Sequence, residues 1–246
     1  RIVGFAKLVG DLIDGASRVI IFFAVAFLIL LAILYYNCRC WKSTLVRALS
    51  SLVAVVWQMG LLSMLGYGLN PYSMLVPFLM FALGVSHGIQ MFNAMVIEML
   101  DGADKLTAAR RAYRTVYIPG LAALFTDCVG FATLFVIAIG VIQDIAVGAS
   151  IGVAVVAFTD LMLLPILMSY TGVCANTVEI FRKRASSSDH PLWTALAKLT
   201  RPKNAAIIIL IAAVGFAAGI YMRSDLKIGD LDPGAPELRP DSRYNL

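Results

Sequence analysis

The sequence predicts an all-α integral membrane protein, a bundle of six transmembrane helices, and three observations carry that reading. Hydrophobic residues make up 60% of the 246 residues and charged residues only 14%, against about 45–50% and about 25% in soluble domains. Mean hydropathy is +0.85. The apolar residues gather into runs near the roughly 20 residues that a membrane-spanning helix needs: 19–36, 45–65, 71–97, 118–139, 145–170 and 205–222. None alternates with the two-residue period of a barrel strand, and each is far longer than the roughly ten residues of one. The bundle is helical.

Taken in order, residues 1–18 set Ile2, Val3, Phe5, Leu8, Val9, Leu12 and Ile13 on one helical face. That pattern predicts an interfacial helix leading into the first span. The chain opens on Arg1 with neither an initiator Met nor a leader pattern, so it reads as a piece of a longer protein. Between the third and fourth spans, "DGADKLTAARRAYRTV" predicts a short amphipathic helix at the membrane surface. Residues 171–204 form the longest loop, with "RKRASSSDHP" as a polar hinge and "PLWTALAKL" as a second surface helix. Residues 223–246, acidic and rich in Pro and Gly, read as the start of an extracytoplasmic domain.

The net charge of +5 does not point to nucleic acid, because the basic residues follow topology. Lys and Arg collect in cytoplasmic loops. With the N-terminus outside, the inner segments carry Arg39, Lys42 and Arg47, then Lys105, Arg110, Arg111 and Arg114, then Arg182, Lys183, Arg184, Lys198, Arg201 and Lys203. The short connections at 66–70 and 140–144 carry none. Both termini are therefore expected on the periplasmic side of an inner, plasma membrane. Cys38 and Cys40 flank Arg39; a lone CxC pair is a weak zinc signal, and the expected side is reducing. Unremarkable free thiols are expected there, with palmitoylation of that pair as the alternative. Cys128 and Cys174 have no partner visible in the sequence.

Three small-residue pairs fall inside spans at four-residue spacing: Gly84 and Gly88, Gly148 and Gly152, Gly215 and Gly219. Such pairs let helix backbones approach closely, and they predict a tightly packed bundle. Deep in the spans lie only two acidic residues, Asp127 and Asp160, and one histidine, His87. At 1.5 Å per residue they sit roughly 14, 15 and 18 Å from the inner ends of their helices. Three titratable groups thus share one level near the midplane, where an Asp costs about 2.5–3.5 kcal/mol on insertion scales. Ser86, Gln90 and Asn93 extend a polar stripe along the third span beside His87. Such residues face a bundle interior or a water-filled path. A His87–Asp127 pair forming a proton relay is expected, with Asp160 as a third member. The competing reading is hydrogen-bonded glue between helices. No metal-ligand cluster, cofactor motif or nucleophile elbow is present in the sequence, so neither a cofactor nor an enzyme is expected.

The stretches "NPYSMLVPFLMFALGVSHGIQMFN", "IPGLAALFTDCVGFATLFV" and "IAVGASIGVAVVAFTDLMLLPILMSY" resemble the membrane half-unit of the resistance-nodulation-division exporters. They are most similar to the hydrophobe exporters of the "mycobacterial membrane protein large" branch, which is related to the sterol-sensing domain. The tail "IGDLDPGAPELRPDSRYN" resembles the opening of the second periplasmic domain of those proteins. The resemblance implies that the first five spans are helices two to six of the first repeat and that the sixth opens the second. It also implies a proton-driven cycle using carboxylates on the third span. Here Ser86 and His87 occupy the expected acidic position, and Asp127 stands where a threonine is common. The implied function is proton-motive-force-driven export of hydrophobic or lipid-like molecules, with protons, membrane lipids and the substrate as partners. The alternative is a sterol-sensing-like lipid-binding or scaffold module without a transport cycle. Whether copies assemble into a homo-oligomer is left open by the sequence.

Overall fold

The computed structural model describes residues 5–68, 73–186, 194 and 196–223. Residues 1–4, 69–72, 187–193 and 195, which include the start of the "PLWTALAKL" segment, and the tail beyond Arg223 lie outside the described residues. The secondary structure there is helical: α1 (Phe5–Cys38), α2 (Trp41–Met64), α3 (Leu75–Leu100), α4 (Lys105–Ala132), α5 (Gly140–Phe158), α6 (Leu164–Thr171), α7 (Ala175–Ser186) and α8 (Pro202–Met222). A 3-10 turn, Thr133–Val136, follows α4, and a π-helical turn, Thr159–Leu163, joins α5 to α6. Six stretches are long and apolar enough to cross a membrane, with Gly140–Thr171 counted as one. The all-α membrane bundle follows.

The chain divides into two units, one of residues 10–184 and one of residues 1–9 with 185–246. In the larger unit, turns set the helix ends. Gly66 takes φ +79° after α2, and Gly102 takes φ +89° after α3. Tyr67 N–H reaches Leu62 O, and Ala103 N–H reaches Glu98 O. These bonds close Schellman motifs, which need a left-handed residue that only Gly supplies without strain. At the start of α4, Asp104 accepts from Leu106 N–H at 3.2 Å as the N-cap.

Within this unit α2 packs on α3, α3 on α4, α4 on α5, and α5 on both α2 and α3. Met80, Phe81, Val85, Leu124, Val153 and Val156 fill the middle of the interior. A second cluster at the basic end holds Phe92, Met95, Ala108, Leu164 and Met168. α1 lies against the interior through Phe23 and Phe27, which meet Phe78 and Phe81. In the other unit, Pro202 starts α8 at its first turn, where the missing N–H is unneeded. Asn204 there donates to Lys198 O at 2.8 Å.

Three differences from the sequence expectation have physical causes. The amphipathic segment 105–116 does not stand alone; it continues through Pro119 as one helix, α4. Residues 5–18 likewise run without a break into the first span as α1. The loop expected at 171–204 contains a helix, α7, whose Val178 and Phe181 pack on the cluster at the basic end. Phe181 meets the Phe92 ring edge-on at 6.4 Å, and Thr177 donates to Cys38 O at 2.5 Å. Charge density hides this helix in the sequence, because Arg182, Lys183 and Arg184 crowd its end.

Candidate functional site

The interior of residues 10–184 holds a polar seam that begins in α2. Ser43, Arg47, Ser50, Ser51 and Gln58 are all buried there, at spacings that keep them on one helical face. Arg47, assigned by the charge pattern to the inner loop, is a fully buried residue of α2 and belongs to this seam. Its Nε donates to Ser43 O at 3.0 Å, an Nη2 donates to the Cys38 sulfur, and the guanidinium lies 4.4 Å above the Phe92 ring. Its Nη1 has no hydrogen-bond partner among the described residues. A long basic side chain near a span end ordinarily reaches outward to water, which is why its burial is hard to read from sequence. The signal that would have found it is the Ser–Arg–Ser–Gln stripe itself.

α3 supplies the close approach. A Cβ at Gly84 would lie 2.9 Å from Ser51 Oγ and 3.5 Å from Asp160 Oδ2. One at Gly88 would lie 3.4 Å from Leu164 and 3.5 Å from Arg47 Cγ. The glycines therefore form a shelf against which α2 and the α5–α6 helix both rest. Gly152 is tighter still, since its Cβ would come within 2.6 Å of Met80 and Gln58. Gln58 donates across to Gly148 O at 2.9 Å. For Gly215 and Gly219, no heavy atom of a neighbouring described residue lies within 4 Å of a built Cβ.

Asp160 sits in the π-helical turn, and Pro165 explains the turn. Proline has no N–H to give to Leu161 O, and its ring crowds that carbonyl. The helix widens instead: Leu164 N–H reaches five residues back to Thr159 O, and Ser50 also donates to that carbonyl at 3.5 Å. Such bulges are frequent at functional sites. Leu161 in the widened turn packs over Gly120 of α4, whose built Cβ would come within 3.1 Å of it. The Asp160 side chain is only 4% exposed, and neither carboxyl oxygen accepts a hydrogen bond from the described residues.

His87 and Asp160 line one small cavity of about 10 Å³, enclosed with Met91, Tyr113, Tyr117 and Leu161. That volume is about one water-sized sphere. His87 is half-buried, and its Nδ1 lies 3.1 Å from Leu83 O. Asp127 is half-buried on α4 and does not line this cavity. Among the described residues no ion pair joins it to His87. Ser86 and Gln90 are exposed on the outer edge of α3, and Asn93 is half-buried. The His87 side chain thus shares a cavity with Asp160 and not with Asp127.

At the basic end, Cys40 is bonded to Cys174 with a Cα–Cα distance of 5.8 Å. This corrects the sequence expectation of unpaired thiols at those positions. The α1–α2 and α6–α7 turns meet there, as Ser43 Oγ to Gly172 O at 3.5 Å also shows. Cys38 and Cys128 remain free thiols. Among the described residues, no group of three or more His, Cys, Asp or Glu side chains is placed to hold a metal ion.

The chain matches the MMPL family over residues 1–207. It is also 29% identical over 147 residues to the protein YdgH of Bacillus subtilis (strain 168), a match covering 56% of this chain. The chain spans 16% of that relative's length. The six apolar helices among the described residues and the extent of the family match agree: this chain belongs to the MMPL family, a membrane-protein family of the resistance-nodulation-division superfamily.

Proposed function

We propose that this chain is part of the membrane domain of a proton-motive-force-driven exporter of hydrophobic or lipid-like molecules. In this reading Asp160 and His87 together hold the coupling proton. One observation carries it: a buried carboxyl group, without a partner among the described residues, shares a cavity with an imidazole. An ionised carboxylate in such a place costs several kcal/mol unless it is paired. It therefore takes up a proton, or gains a counter-charge, whenever the bundle rearranges. An imidazole can both accept and donate a proton, and one water in the cavity would join the two groups. Arg47, a turn further along the glycine shelf, supplies a buried positive charge. Each proton crossing 100 mV contributes about 2.3 kcal/mol to the cycle.

The test is energised efflux of the lipophilic dye Nile red by cells expressing the complete protein. Asp160→Asn and His87→Ala are each expected to abolish gradient-dependent efflux while membrane levels of the protein hold. The double variant should lose little more than either alone, because residues acting as a unit are not additive. Normal efflux by Asp160→Asn would make the carboxyl structural. The chain would then be better read as a lipid-binding or scaffold module.

A further inference from the structure

A second, larger concavity opens beside the first, on the flank of the bundle between α4 and α6. It measures about 280 Å³ and is lined mainly by apolar atoms, including Leu161, Met162 and Ile166. Its polar lining comes from Arg110, Tyr113 and Ser169. Tyr113, Leu161 and Pro165 form the wall it shares with the His87–Asp160 cavity.

The groove has a polar end and an apolar end. Arg110 lies five residues into α4, and Ser169 two residues before the end of α6. Both are thus near the membrane surface on the basic side. Leu161 lies about 12 Å deeper along the helix. Arg110 is exposed and makes no ion pair or hydrogen bond among the described residues. Several nearby charges are engaged elsewhere: Glu98 pairs with Arg111 at 3.5 Å, Asp104 caps α4, and Lys105 Nζ donates to Tyr170 O at 3.1 Å. Ser169 donates to Ile166 O at 2.7 Å, so its hydroxyl is turned into the helix. Among the groove's lining residues Arg110 is thus the cation without a partner, at the surface end of a slot that only hydrocarbon fills without cost.

We propose that this groove is a binding site for an anionic phospholipid of the leaflet on the basic side. Its phosphate pairs with Arg110, and one acyl chain lies against Leu161, Met162 and Ile166. Bundle helices leave many apolar faces to bulk lipid. This one differs in pairing a defined slot with an unneutralised guanidinium, which recognises phosphate by charge and geometry.

The test uses the protein in nanodiscs containing phosphatidylcholine and phosphatidylglycerol, with one or the other carrying brominated acyl chains. Ile166→Trp places a fluorophore in the slot, and quenching is read as the difference from the parent protein with its three native Trp residues. Phosphatidylglycerol is expected to quench with a roughly fivefold higher relative association constant, as one basic side chain at an anionic surface would give. Arg110→Gln should remove the preference, and Arg114→Gln, which lies outside the groove, should leave it. Arg110 and Ile166 are both exposed, so these changes spare the interior. Equal quenching by the two lipids overturns the proposal. So does absence of quenching, or a preference that survives Arg110→Gln.

Discussion

Gly84 faces Asp160 across a gap that no side chain can share: a Cβ at residue 84 would lie 3.5 Å from the carboxyl oxygen Oδ2. The same Cβ would lie 2.9 Å from Ser51 Oγ. A small residue on α3 thereby lets two polar groups from different helices come together in the interior. Placement of the buried carboxyl depends on that approach.

The glycines should differ in the cost of a single methyl. At Gly152 an added Cβ meets Met80 and Gln58 within 2.6 Å, and Gln58 is held by its bond to Gly148 O. At Gly148 the nearest atom is 3.7 Å away, an ordinary contact. Gly152→Ala is expected to destabilise by about 1–3 kcal/mol, the usual cost of overpacking. Gly148→Ala should fall near neutral. Melting of the two variants in one detergent gives the order, and a reversed order would contradict the packing described.

Arg47 should be intolerant of change, including to Lys. Removing one member of a buried polar set costs about 3–5 kcal/mol, and Arg47→Ala also empties the space over Phe92. Lys cannot reproduce a planar guanidinium that stacks on a ring while donating to Ser43 O. Both variants are expected to melt well below the parent. A Lys variant with parental stability would show that charge alone suffices.

The Cys40–Cys174 link ties chain positions 134 residues apart. In the oxidised protein, Cys174→Ser should cost about 2–4 kcal/mol, and a reductant should lower the parent's melting point to that of the variant. Digestion without reductant, followed by mass spectrometry, should yield the linked peptides around residues 40 and 174. Recovery of both as free thiols after oxidation would remove the pairing.

Topology needs introduced cysteines, since Cys38 is fully buried and Cys40 is bonded. Lys42 and Gly68 are exposed at opposite ends of α2. With the basic loops inside, a membrane-impermeant maleimide should label Gly68→Cys in intact cells. It should reach Lys42→Cys only after permeabilisation. The opposite pattern would invert the bundle.

The sequence by itself determined that the chain is a helical membrane bundle and where its spans lie. Lipid offers the backbone no hydrogen bonds, so apolar runs of this length must satisfy their own as helices. It also led to the expectation of a common depth for His87, Asp127 and Asp160, because depth is counted in residues along a helix. Which polar groups meet is another matter. Depth says nothing of rotation about the bundle axis, so a His87–Asp127 pair and a His87–Asp160 pair look alike on paper. Packing chose between them: Pro165 widened the helix at Thr159–Leu163, Gly84 and Gly120 admitted that turn, and Asp160 came to share a cavity with His87. The burial of Arg47, the helix at Ala175–Ser186 and the meeting of Cys40 with Cys174 were likewise decided in three dimensions. Each depends on contacts between segments far apart in the chain, which periodicity within one segment cannot encode.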